Sequence, residues 1–122
     1  QGLAREFVAG VCDLDVASLR PAVWTDFSRI TLVGFDTNER VTIDLGLSFR
    51  WLGAAHQVSD LMIVEVKQEP YDAHTPIMVA LRAAGLRQAS ASKYCAGIAW
   101  SRPNVRLNRL RPALRAMERI AR

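Results

Sequence analysis

One segment of the sequence, Arg40 to Trp51, alternates between polar and apolar side chains along its whole length. Successive side chains of a β-strand point to opposite faces, so this pattern predicts a long strand with one polar and one apolar face. The polar face is predicted to carry Arg40, Thr42, Asp44, Gly46, Ser48 and Arg50. Arginines and a carboxylate are the side-chain types that hold phosphate and metal ions, so a charged, concave sheet interior is expected.

Two further segments are predicted to pair with this strand. Residues 23–35 are rich in Val, Thr, Ile, Phe and Trp, and the polar turn at 36–39 joins them to Arg40 as a hairpin. Residues 61–69 form a third strand, with Glu65 and Lys67 two apart on one face. The predicted strands therefore span about residues 22–69, with 53–59 as a loop.

Helical patterns flank the predicted strands. Residues 2–19 have helical spacing, with a second short helix beginning at Asp15, and a helix is predicted at about 76–85. A short helix or turn is expected around Ser92–Cys95, and a C-terminal helix at about 104–121. The predicted fold is α+β, an antiparallel sheet with flanking helices in a single domain covering residues 1–122.

The positive charge of the chain is concentrated at its C-terminal end. Residues 102–122 carry seven arginines and one glutamate, a charge of +6, so the remainder carries −2 of the net +4. A basic segment of this kind can bind nucleic acid, or it can be the solvated face of a helix, which is the commoner case. Nucleic-acid binding through these arginines is therefore the less favoured alternative, and its affinity would fall steeply with salt.

Several simple function classes are disfavoured. No apolar run approaches the ~18–20 residues of a membrane span, and no signal peptide is evident, so a cytoplasmic protein is expected. Cys12 and Cys95 are isolated, which favours two buried thiols over a disulfide and makes a zinc site improbable. His56 and His74 are predicted to be surface residues. The tryptophans are interpreted as packing residues: Trp24, Trp51 and Trp100.

Four short motifs follow one another along the chain. They are Arg29 in mid-strand, Arg40-Val-Thr-Ile-Asp44, Glu65-Val-Lys67, and Ser92-Lys93-Tyr94-Cys95-x-Gly97. Each is weak alone, but their order and spacing resemble the C-terminal half of a VTC (vacuolar transporter chaperone) domain. That domain is the polyphosphate polymerase module of the triphosphate tunnel metalloenzyme group. The resemblance runs from about residue 21 to residue 97.

The resemblance implies antiparallel strands that close into a tunnel lined by Arg, Lys and Glu. It implies a divalent metal, Mn²⁺ or Mg²⁺, and transfer of the γ-phosphoryl group of ATP to a growing polyphosphate chain. Carried over position by position, it implies catalytic roles for Arg29, Arg40 and Lys93 and a metal-holding role for Glu65. The residues implied to bind substrate are Arg29, Arg40, Thr42, Lys67, Ser92 and Lys93.

The chain also departs from the family pattern. Many relatives carry a basic residue just before the serine of Ser-Lys-Tyr, where this chain has Ala89, Ser90 and Ala91. Three predicted strands cannot close a tunnel, so a second chain or a missing N-terminal half is expected to complete it. The alternative is a module that binds polyphosphate or another anion without catalysis.

Overall fold

The computed structural model describes residues 2–12, 15–90, 92–102, 104–108 and 110–120. The strands are β1 (Trp24–Val33), β2 (Arg40–Trp51), β3 (Ala54–Gln57) and β4 (Met62–Lys67). The helices are α1 (Gly2–Val11), α2 (Pro76–Ala83), α3 (Lys93–Ser101) and α4 (Arg111–Ile120), with a 3₁₀ turn at Val16–Ser18. The predicted α+β fold with an antiparallel sheet is confirmed.

Strand β2 is the centre of the sheet. It pairs antiparallel with β1 along one edge, while its other edge pairs first with β4 and then with β3. The outer edges of these partner strands do not pair with each other, so the four strands form an open sheet and not a barrel.

A β-bulge at Gly46 reverses the predicted alternation in the second half of β2. The register with β1 shifts there, and Gly46 has φ of +64°, a conformation that glycine adopts without steric cost. Beyond the bulge, Leu47 and Phe49 therefore lie on the same face as Thr42 and Asp44. The prediction of one continuous polar face was wrong.

Arg50 illustrates the consequence of the bulge. Its guanidinium pairs with Asp26 of β1, with Nε 3.0 Å from Oδ2, on the opposite side of the sheet from Asp44. Ser48 likewise lies on that opposite side. The charged surface predicted for the whole strand is thus restricted to its first half, Arg40–Asp44.

Strand β3 occupies part of the predicted loop at 53–59, so that prediction was also wrong. The two residues between β2 and β3, Leu52 and Gly53, both have positive φ, at 45° and 81°. Positive φ at both central positions makes a two-residue turn that matches the twist of a hairpin. Leu-Gly lacks the usual Asn-Gly signature, which is why the sequence did not reveal this turn.

The core lies between one face of the sheet and helices α3 and α4. It consists of Leu47, Phe49, Val58, Leu61, Ala96, Leu114 and Met117. We call this side of the sheet the α3 face, since Gly97 of α3 lies directly against the Phe49 ring and Lys93 of α3 contacts Asp44. Trp100 also packs on Phe49, with ring centroids 5.0 Å apart.

Gly97 allows α3 to approach the sheet closely. A Cβ atom at this position would lie 2.5 Å from Cδ1 and 2.8 Å from Cε1 of Phe49. We expect Gly97→Ala to lower the free energy of unfolding by about 1–3 kcal/mol through overpacking, measured by chemical denaturation. Gly10→Ala in α1 is the matched control, because alanine favours helix and, outside the adjoining helix backbone, no described residue has an atom within 4 Å of the Gly10 Cβ position. Equal stability of the Gly97→Ala variant and the parent chain would contradict this packing.

The opposite face of the sheet is largely uncovered. Its exposed apolar side chains include Ile30, Leu32, Leu45 and Met62. Helix α1 is likewise exposed, with no buried residue. None of the described helices has the length and apolar character required to cross a bilayer.

The C-terminal helix is shorter than predicted. It begins at Arg111 and not near residue 104, because the described residues at 104–108 and 110 form turns and irregular chain. In α4, Leu114 and Met117 are buried while the described arginines Arg111, Arg115 and Arg119 are exposed. The solvated-face interpretation and the nucleic-acid alternative both require exposed arginines, so the choice between them stays a prediction. Arg109 and Arg122 lie outside the described residues.

The isolated cysteines and histidines lie at half-buried or exposed positions. Cys12 and Cys95 are both free and half-buried, so neither is a fully buried thiol. His56 and His74 are exposed, as predicted, although His56 also stacks on Trp100 at 4.6 Å between ring centroids.

Candidate functional site

A buried carboxylate, Asp44, lies at the centre of a charged cluster on the α3 face. It is 1 % exposed, and Arg29 of β1 binds it through two hydrogen bonds, Nε to Oδ1 at 2.6 Å and Nη2 to Oδ2 at 2.8 Å. Lys93 of α3 lies on the same carboxylate, with Nζ 2.7 Å from Oδ2. The hydrogen bond from Arg29, aided by Lys93, lowers the pKa of Asp44 to about 2 although burial acts in the opposite direction.

The local fold explains why these three side chains meet. Arg29 and Asp44 are directly opposite each other in the antiparallel β1–β2 ladder, so their side chains share a face. Lys93 is the first residue of α3, whose N-cap is Ser92. Because Gly97 allows α3 to pack closely on Phe49, the start of the helix lies next to Asp44.

Phe27 forms one wall of this cluster. The Arg29 guanidinium carbon lies 5.0 Å from the ring centroid and Lys93 Nζ lies 5.3 Å from it, distances typical of cation–π contacts. The motifs in the sequence do not include this residue. The available signal was its position two residues before Arg29 in the same strand, which puts both side chains on one face.

A second group of polar side chains continues along the same face toward the start of β2. Thr42 lies opposite Glu65 of β4, and Arg40 lies opposite Lys67. Lys67 Nζ is 3.2 Å from Glu65 Oε1, whereas Arg40 forms no ion pair with any residue that the structure describes. The Thr42 hydroxyl oxygen is buried and has no hydrogen-bond partner among the described residues.

The electrostatics of this face favour an anion. Its charged residues are Arg29, Arg40, Lys67, Lys93, Asp44 and Glu65, which leaves a net charge of +2. Like charges directly opposite each other on paired strands are destabilising, and Arg40 and Lys67 are such a pair. A bound anion would offset that repulsion.

The face brings together six of the seven side chains assigned from the resemblance. Arg29 and Lys93 meet on Asp44, and Arg40, Thr42, Glu65 and Lys67 adjoin them. Ser92 has a different position: its hydroxyl oxygen accepts a hydrogen bond from the Cys95 backbone N–H at 3.3 Å, as a helix cap. Its predicted contact with substrate stays a prediction.

The carboxylates of this face are unequal as metal ligands. Both oxygens of Asp44 are engaged by Arg29 and Lys93, while Glu65 is about half exposed and, among the described residues, forms an ion pair with Lys67 alone. Within the described ranges no group of three or more His, Cys, Asp or Glu side chains could hold a metal ion by itself. A single accessible carboxylate could hold a Mg²⁺ or Mn²⁺ ion only if phosphate oxygens and water supplied the remaining ligands.

Comparison with known proteins identifies the family of the chain. The family model of the VTC domain matches residues 7–102, a range that includes all four strands and helices α2 and α3. No curated protein and no solved structure matches the chain. The predicted resemblance to a VTC domain is thus confirmed, while its restriction to the C-terminal half stays a prediction, and the chain belongs to the VTC domain family.

Proposed function

We propose that the α3 face of the sheet binds triphosphate or polyphosphate together with a divalent metal. Membership of the VTC family points to a polyphosphate-related role. The observation that carries the finer proposal is the convergence of four cationic side chains on one face with a single accessible carboxylate, Glu65. In a complete tunnel, this face would transfer the γ-phosphoryl group of ATP to the end of a polyphosphate chain.

The cations are suited to a polyanion because they are spread along the strand direction. Arg40 and Lys67 form one rung of the ladder, and Arg29 lies four residues further along the antiparallel pairing, opposite Asp44. Consecutive residues of a strand rise about 3.3 Å. A linear chain of phosphates can therefore contact Arg40 and Lys67 at one point and Arg29 and Lys93 at another.

Phosphoryl transfer asks mainly for positioning and charge neutralisation from the protein. Arginine supplies a planar fork that binds two phosphate oxygens at once, and lysine supplies a compact charge. The Thr42 hydroxyl lies between these cations but is buried, so it could bond a phosphate oxygen only after a neighbouring side chain moves.

Glu65 is the residue that would hold the metal. Mg²⁺ is usually bound by one or two carboxylates plus substrate phosphates, which matches a face with one accessible carboxylate. When bound, the metal neutralises charge on the phosphate oxygens and helps to orient them. Lys67 Nζ lies 3.2 Å from one oxygen of this carboxylate, Oε1.

The open sheet favours a second candidate, anion binding without turnover. Four strands expose the charged face on one side instead of enclosing it, and water would compete with the reacting groups. Catalysis would require a second chain or an N-terminal half that completes the tunnel. ATP consumption with polyphosphate as product separates the two candidates.

The test is calorimetric titration of the chain with inorganic triphosphate, with and without Mn²⁺. We expect binding, and we expect Arg40→Ala to weaken it by about tenfold or more, because a charged hydrogen bond to phosphate is lost. Glu65→Gln is expected to remove the dependence on Mn²⁺ while metal-free binding persists. The circular dichroism spectrum checks that each variant is folded.

Arg50→Ala is the matched control. It removes an arginine from the same strand, but this side chain lies on the opposite face and pairs with Asp26. Triphosphate affinity should therefore be unchanged. Equal losses in Arg40→Ala and Arg50→Ala, or no loss in either, would contradict the assignment of the α3 face as the site.

A further inference from the structure

We propose that Asp44 is the positioning residue of the anion site, which holds Arg29 and Lys93 together so that their free N–H groups face the ligand. The inference rests on the proposed function, since it assigns a role within the same site. Asp44 is almost completely buried, so it does not itself reach a bound phosphate. Its effect on binding must therefore pass through the two cations that it contacts.

The three side chains of the cluster differ in how far they are exposed to solvent. The Arg29 side chain is 40 % exposed and that of Lys93 is 20 % exposed, whereas that of Asp44 is 1 % exposed. The Asp44 carboxylate is thus inside the protein, and the two cations that contact it reach the surface. A simple surface ion pair would leave its carboxylate as accessible as its cations.

The hydrogen-bond geometry leaves donors for a ligand. Arg29 uses Nε–H and one Nη2–H on Asp44, so three of the five N–H donors of its guanidinium remain. Lys93 uses one of its three ammonium protons on Oδ2. Asp44 therefore orients both groups without exhausting them, and the planar Arg29 fork is fixed in one plane by two bonds.

Asp44 also joins two elements that are far apart in the sequence. Arg29 belongs to β1 and Lys93 to the first turn of α3, and both meet on the β2 carboxylate. Without Asp44 the two cations would repel each other, since nothing else among the described residues forms an ion pair with either of them. The carboxylate therefore sets the distance between two phosphate-binding groups.

Removal of the Asp44 charge has two opposed effects on anion binding. The site gains one net positive charge, which strengthens the attraction for a polyanion. The site also loses the fixed orientation of Arg29 and Lys93, and misdirected donors do not form their bonds with phosphate. Positioning therefore predicts weaker binding in Asp44→Asn, whereas a purely electrostatic role predicts tighter binding.

The first experiment is metal-free calorimetric titration with inorganic triphosphate. We expect Asp44→Asn to raise the Kd for triphosphate by about tenfold, which corresponds to the loss of roughly one charged hydrogen bond. In a Lys93→Ala background the same substitution should have a smaller effect, because one of the two positioned cations is already absent. Asp26→Asn is the control, since it removes a carboxylate that also binds an arginine at two points, but on the opposite face.

A second measurement uses the unaltered chain and so does not depend on how Asp44→Asn folds. The Arg29 Nε–H group, bonded to a buried carboxylate, is followed by nitrogen–proton NMR and assigned by its loss in Arg29→Lys. The signal should persist at saturating triphosphate, because positioning requires Arg29 to stay on Asp44 while its other donors bind the ligand. Disappearance of the signal on saturation would show that Arg29 leaves Asp44, and would overturn the proposal.

The outcomes separate this inference from the proposed function. If the unaltered chain fails to bind triphosphate, the proposed function is overturned. If it binds, and Asp44→Asn binds equally or more tightly, the anion site stands and the positioning role is overturned. An effect of Asp44→Asn that is fully additive with Lys93→Ala likewise overturns it, since a merely structural role acts independently of Lys93.

Discussion

Replacement of Leu47 by alanine is expected to lower the free energy of unfolding by about 2–5 kcal/mol. Leu47 is fully buried, with 0 % exposure, and it belongs to the core between the sheet, α3 and α4. Truncation removes buried methyl groups and leaves a cavity that the surrounding β2 backbone cannot close. The loss is measured by chemical denaturation followed by circular dichroism.

Leu45→Ala is the control for this prediction. Strict alternation along β2 would put Leu45 and Leu47 on the same face, but the bulge at Gly46 separates them, and Leu45 is 37 % exposed on the opposite face. A clearly smaller loss of stability is therefore expected for Leu45→Ala. Similar losses at the two positions would mean that the alternation continues through Gly46 and that β2 has no bulge there.

A second large effect is expected for Asp44→Asn, measured as a function of pH. Near neutral pH, the variant should lose about 1–3 kcal/mol of unfolding free energy, because Arg29 and Lys93 lose their charged partner. Hydrogen bonds from these cations lower the pKa of Asp44 in the folded chain from 3.8 to about 2. The carboxylate therefore stabilises the fold wherever it is ionised.

The direction of the pH dependence follows from that lowered pKa. The advantage of the parent chain over Asp44→Asn is complete above pH 3.8 and disappears as the pH falls through about 2. Asp26→Asn provides the comparison, since the Asp26–Arg50 pair is exposed and such pairs contribute about 0–1 kcal/mol. A stability difference for Asp44→Asn that stays constant down to acidic pH would contradict the ionised pair.

Much of the candidate site was predictable because strands keep a simple period. Arg40, Thr42 and Asp44 share a face for the same reason that Glu65 and Lys67 do, and the structure pairs these two sets of side chains. The order of the motifs indicated the family, which the family model confirms. The approximate bounds of β1 followed from its β-branched and aromatic content, and those of β2 and β4 from the alternation of their side chains.

The rest depended on backbone conformations that residue types do not reveal. Glycine tolerates positive φ but does not require it, so the bulge at Gly46 and the reversal at Leu47 were not predictable from the alternating pattern. The residue types likewise did not reveal the turn at Leu52 and Gly53, which joins β2 to β3. The C-terminal helix was predicted too long, since periodic leucines before Arg111 pack without helical backbone.

Within Arg40–Asp44 and Glu65–Lys67, the sequence by itself determined which side chains share a strand face, and it indicated which family the chain resembles, because both depend on local spacing. Only the tertiary structure decided what those side chains do to one another. Asp44 became the buried partner of Arg29 and Lys93 through strand register and the docking of α3, which join residues distant in the chain. Such contacts depend on how elements pack, and packing is decided by the whole core and not by the spacing within one segment.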